Sequence, residues 1–227
     1  MSTEQYGYII VAFDIENTGP SLKNHAIVQI GLKVFEATKA RKSLDEFQIL
    51  INVPENRGWD TQCEQEFWNS TLGLILMKQQ IQSKQGYEPK EAMTHFQNYL
   101  FHVFKKYSNN DIRRIRLVSD TVSFDTCWIN YYLDYYLDAL PLHLVFGKFK
   151  DVLETGSYVQ GRSGINHEEE LVIAATKRFS QEQSCIERRN ILDKPLIEHS
   201  HNALEDASNI GEMYLIIMYS SYIEQIE

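Results

Sequence analysis

The sequence predicts an α/β domain built on a mixed sheet, in which a three-strand antiparallel meander is followed by helical crossovers to two parallel strands. Three observations carry this expectation. Residues 8–13, YIIVAF, form a near-continuous β-branched and aromatic run, the pattern of a strand buried on both faces. Two more strand-like runs follow, Ile27 to Phe35 and Phe47 to Val53, separated by a short charged stretch around Lys39 to Asp45. Helix-like and strand-like segments then alternate, which puts helices on the faces of the sheet.

In chain order, residues 64–82 and 89–107 read as helices. In the second, Ala92, Phe96, Tyr99, Leu100, Val103 and Phe104 recur at three- and four-residue spacing, and Pro89 suits a first helical turn. A strand at Arg114 to Val118, a helix from about Ser123 to Asp138 and a strand within Leu142 to Leu153 complete the sheet. Residues 156–195 are polar, carry Gly156, Gly161 and Gly164, and hold one helix around Glu168 to Phe179. They read as an insertion or lid within a single domain spanning residues 1–227. The last helix shows one apolar face, made by Ala203, Leu204, Ala207, Gly211, Tyr214, Leu215 and Met218.

Composition narrows the function classes. With 227 residues, 43% hydrophobic and 23% charged, the chain suits one folded domain and neither a disordered nor a fibrous protein. Its first residues lack the pattern of a secretory signal. The longest apolar stretch near the C-terminus, Met213 to Tyr219, is far short of the roughly 20 residues that cross a bilayer, so no membrane association is expected. Cys63, Cys127 and Cys185 lie far apart and are odd in number, which fits a reducing, intracellular and by default cytoplasmic setting. A net charge of -9 argues against holding long nucleic acid by phosphate neutralisation, but leaves room for short strands entering a metal-lined cleft.

The acids stand at telling places. Asp14 and Glu16 are two apart on the first strand, so both point to one face as the apolar run ends. They could bind hard divalent cations, or merely end the strand as solvated residues. Asp125, in SFDTCW, opens a helix, where it would also complement the positive helix end. Asp206 falls beside the buried face of the last helix, and residues 195–227 contain no Lys or Arg to pair with it, so a bound metal is a natural counter-charge. His201 is five residues earlier. Asn202 and Glu205 resemble a capping box, which would start the helix at Asn202 and leave His201 on the preceding loop, with His199 the competing histidine.

Three segments together resemble the DEDDh exonucleases, the group that includes RNase T, oligoribonuclease and polymerase proofreading domains. FDIENTG is similar to the first motif, with Asn17 in place of a Thr. VSFDTCWINYYL is similar to the second, with Phe124 and Asp125 as its core, and HNALEDA to the third. The resemblance implies a ribonuclease H-like mixed five-stranded sheet flanked by helices. It implies that Asp14, Glu16, Asp125 and Asp206 hold two divalent cations, Mg2+ or Mn2+, and that His201 is the general base. The implied substrate is the 3' end of single-stranded nucleic acid, RNA or DNA, cut to 5'-mononucleotides. Several relatives work as dimers, so a homodimer is also expected. Asn17, Thr18 and Phe124 are candidate substrate contacts, although Phe124 could equally be core and Thr18 a turn former. A catalytically silent binding domain and a small-molecule phosphoesterase remain the rival readings. The chain departs from the family where His-Asn often precedes the second Asp, having Ser119 and Asp120 there. Asp120 lacks the Phe-Asp context of Asp125 and is not counted as a ligand.

Overall fold

A computed structural model describes residues 7–38, 40–142, 153–154 and 201–220 of the chain. Strands β1 (Ile9–Asn17), β2 (Ile27–Glu36), β3 (Ser43–Leu50), β4 (Ile115–Ser119) and the two-residue β5 (Leu153–Glu154) form one sheet in the order β3-β2-β1-β4-β5. The first three are antiparallel, while β4 runs parallel to β1 and β5 parallel to β4. Numbered over the described residues, the helices are α1 (Thr61–Cys63), α2 (Leu72–Gln82), α3 (Pro89–Tyr107), α4 (Val122–Leu137) and α5 (Ala203–Ser220). The mixed α/β sheet with helices on its faces is the expected architecture. None of the described helices is long and apolar enough to cross a membrane.

β1 is buried on both sides because its neighbours cover both. Ile9, Val11, Phe13 and Ile15 enter the large core with Ala92, Phe96 and Leu100 of α3 and Trp128, Ile129 and Tyr132 of α4. Ile10 and Ala12 point the other way, to Phe35, Val118 and the α5 residues Ile210, Tyr214 and Leu215. Alternation of side chains along a strand makes this division, and it carries Asp14 and Glu16 onto the α5 face.

The approach of α5 to the sheet depends on a glycine. A Cβ placed on Gly31 would stand 2.1 Å from the carbonyl carbon of Ala203 and 2.2 Å from the Leu204 nitrogen. Only a residue without a side chain lets the start of α5 lie on β2 at this distance.

Two expectations need correction. The segment 64–82 is not one helix. Asp60 caps α1 by accepting the Cys63 N–H at 2.8 Å, a π-helical turn follows at Glu64–Trp68, and the chain breaks before α2. Thr71 is extended there and its hydroxyl accepts the Leu74 N–H at 3.3 Å, so a second N-cap interrupts the run. The apolar rhythm persists across the break because Trp68, Leu74 and Ile81 all pack into one cluster with Val28. The third strand starts at Ser43 rather than Phe47: β3 is an edge, and its charged residues are spent on pairs such as Lys33 with Glu46 and Tyr107 with Asp45. β5 begins at the last residue of the window in which a strand was expected. Residues 156–195, the helix expected around Glu168 to Phe179, and His199 lie outside the described residues.

Candidate metal centre

Asp14 and Glu16 lie on β1 opposite Gly31 and Gln29 of β2. Each carboxylate residue is only 8% exposed, and Asp125 and Asp206 are 1% exposed. Asp125 is brought in by the first turn of α4, Asp206 by the first turn of α5. Ligand atoms of Glu16, His201 and Asp206 lie within 4.8 Å of one another, and so do those of Asp14, Asp120 and Asp125. The five residues expected at the centre are therefore gathered in two neighbouring groups.

The start of α5 is held with care. Asn202 caps it, its side-chain oxygen accepting the N–H groups of Leu204 at 3.2 Å and Glu205 at 3.4 Å. Gln48 donates to the same oxygen at 2.8 Å. Gln29 accepts the Ala203 N–H, also at 2.8 Å. His201 lies just outside the helix in left-handed backbone, φ 56°, and its ring meets that of Phe67 edge-on with centroids 4.5 Å apart. The placement off the helix is the one that the Asn202 cap implied.

Asp125 is oriented by hydroxyls. Ser119 donates to it, and Thr121 lies 3.4 Å from the same oxygen while donating to Asp120 at 3.1 Å. Ser119 in turn accepts the Thr121 N–H at 3.1 Å.

So many acids in one dry place resist ionising. Burial above all, then the charges of Glu16, Asp125, Asp120 and Asp206, raises the Asp14 carboxyl well above its ordinary value. Burial and then Asp206, Asp125 and Asp120 push Glu16 up to about 8. Asp125 is raised to about 7 by burial and by Asp120, against the lowering effect of the Ser119 and Thr121 hydroxyls. Among the described residues, no Lys or Arg makes an ion pair with Asp14, Glu16 or Asp125. Buried carboxylates without a cationic side chain are the donor set that hard divalent cations favour. The residues fit a metal centre.

The candidate substrate contacts separate. Phe124 is 38% exposed, its ring 6.2 Å from that of Trp128, so one edge faces solvent. Thr18 is fully buried and its hydroxyl is used within the loop, donating to the Gly58 carbonyl at 2.6 Å and accepting the Ala26 N–H at 2.9 Å. Asn17 accepts the Gly19 N–H at 3.1 Å, and its carbonyl takes the Trp68 indole N–H at 3.0 Å. Three residues at the site escaped the motif reading: Asp120, Phe67 and Gln29. Asp120 was visible as an acid beside the second motif; nothing in the local sequence marked the other two.

No family model matches the chain, and no curated protein matches it in sequence. Solved structures do match in shape. The nuclease domain of 3'hExo, described as a DEDDh family member and bound to rAMP, superposes with a TM-score of 0.55 over 96% of this chain and 94% of its own, at 12% identity. The chain has the fold of that nuclease domain. Cell-death related nuclease 4 matches with a TM-score of 0.58 and 14% identity over 93% of this chain. E. coli exonuclease I in complex with a dT13 oligonucleotide matches at 0.53, with 12% identity over 95% of this chain. The chain spans 64% of cell-death related nuclease 4 and 42% of that exonuclease I.

Proposed function

We propose that this chain is a metal-dependent 3'-5' exonuclease that hydrolyses phosphodiester bonds of single-stranded nucleic acid and releases 5'-mononucleotides. The observation that carries this reading is the convergence of Asp14, Asp125, Glu16, Asp206 and His201 in two adjoining ligand groups on one buried patch. The nucleic-acid class is supported by the fold neighbours, one bound to rAMP and one to an oligonucleotide.

Asp14, Glu16, Asp125 and Asp206 would hold two divalent cations, Mg2+ or Mn2+. Bound there, such ions neutralise charge on the phosphoryl and leaving oxygens and lower the pKa of water. His201 accepts the proton of the attacking water, as a neutral imidazole can near pH 7. It lies in left-handed backbone ahead of the helix, with its ring edge-on to that of Phe67. Phe124, 38% exposed, is the ring on which a base would stack.

The test uses 5'-labelled single strands of RNA and of DNA, incubated with Mg2+, Mn2+ or EDTA. A metal-dependent ladder shortening from the 3' end is expected, abolished in Asp14→Ala and His201→Ala. Strands left intact by the wild-type chain with either metal, or cutting unaffected by both substitutions, would remove the proposal.

A further inference from the structure

We infer that Asp120 is a further metal ligand, which with Asp14 and Asp125 holds one of the two cations and makes this centre one carboxylate richer than the motif pattern implies. The inference rests on the metal reading of the proposed function and extends it to a residue that reading does not include.

Asp120 follows β4 directly, two residues before α4, where the resembled family often carries a His-Asn pair. Its carboxylate lies within 4.8 Å of ligand atoms of both Asp14 and Asp125. The independent sign of a ligand is Asp14. That carboxylate is 8% exposed, its ligand atom lies in the same group, and no described residue gives it a hydrogen bond or an ion pair. A buried carboxylate so placed stays ionised only beside a positive partner. A third acid at the group supplies charge and a hard oxygen donor for that partner, as Mg2+ and Mn2+ prefer.

Thr121 fixes the geometry, since one hydroxyl lies at 3.1 Å from Asp120 and 3.4 Å from Asp125 and so ties the two carboxylates side by side. The remaining oxygens can then turn toward Asp14. In the other group, Glu16 and Asp206 stand with His201, so the two positions differ in charge: three carboxylates against two and an imidazole. The two sites should therefore fill unequally, the Asp14 group first.

Calorimetric titration of the metal-stripped full chain with Mn2+ tests this, alongside Asp120→Asn and the exposed-acid control Asp134→Asn, which removes the same charge from the far part of α4. Wild type and Asp134→Asn are expected to bind two Mn2+ of unequal affinity. Asp120→Asn should weaken the tighter site by at least about tenfold and leave the other within about twofold, by analogy with the loss seen when metal-site partners are removed. The metal-free melting midpoint of Asp120→Asn should match or exceed wild type, because a like charge has gone, and its rise on adding Mn2+ should shrink. Asp120→Ala serves as the second variant should the first not fold. Two sites of wild-type affinity in the folded variants overturn the assignment of Asp120 alone and leave the proposed function standing. A wild-type chain that takes up no Mn2+ overturns both.

Discussion

Gln29 accepts the first N–H of α5, from Ala203, at 2.8 Å, and it does so from the β2 position directly opposite Glu16. One buried amide thus ties the strand beside Glu16 to the helix that brings Asp206 and follows His201. Gln29→Leu removes the acceptor and leaves a buried N–H without a partner, at a cost of about 1–3 kcal/mol. Denaturant unfolding should show that loss, and cleavage should fall more than stability alone explains because the start of α5 shifts.

Gly31→Ala forces the same helix away by sterics. The added carbon would lie 2.1 Å from the Ala203 backbone, which no rotamer relieves. Overpacking of this kind costs about 1–3 kcal/mol. The expected result is a lower melting midpoint and weaker Mn2+ uptake at the group containing Asp206, with the Asp14 group less affected. Wild-type stability in Gly31→Ala would contradict the close approach.

The raised carboxyls predict how stability follows pH. With Glu16 at about 8 and Asp125 at about 7, the folded metal-free chain keeps protons that the unfolded chain gives up. Their contribution to stability is present below the ordinary carboxylate range and is lost as pH rises through about 7 to 8. Melting of metal-free wild type against the Glu16→Gln, Asp125→Asn double variant should show the wild type losing ground from about pH 5 to about pH 9. Saturating Mn2+ should cancel that loss, since cations then replace protons. A difference that grows in favour of the wild type on raising pH without metal would refute this.

Arg57 is the staple of the loop after β1. It is 9% exposed, donates to the carbonyls of Leu22 and His25 and to the Tyr131 hydroxyl, and lies over the rings of Tyr131 and Tyr132 at 5.0 and 5.7 Å. Arg57→Met leaves two carbonyls without their donor, for which a loss of about 3 kcal/mol is expected. Arg57→Lys should recover only part of it, since an ammonium cannot span both carbonyls and the phenol in one plane. Chemical denaturation of the three proteins orders them.

What could be read from the chain beforehand follows from how local each signal is. β1 and its two acids were legible because a doubly buried strand leaves an unbroken apolar run and because side chains alternate. His201 was legible as a loop residue because Asn202 announces a helix start. The break at Asn69 to Thr71 was hidden by apolar spacing that continues through it, though Ser70-Thr71 is itself a capping signal. Asp120 is visible but lacks the Phe-Asp context of Asp125, and its nearness to Asp14 is created by the parallel pairing of β1 with β4, which no local pattern contains. Gln29 and Phe67 matter through contacts with residues 174 and 134 positions away, beyond the reach of any window.

β1 keeps its two sides chemically apart along its whole length: Ile9, Val11, Phe13 and Ile15 face the large core, while Ile10, Ala12, Asp14 and Glu16 face α5. Chemistry and cohesion are therefore inherited through different positions of one strand. A descendant of this chain can shed its acids at alternate residues while its hydrophobic interior stays intact, and even gain stability as the repulsion goes. Copies that fold soundly without the buried acids are an outcome to which this scaffold lends itself.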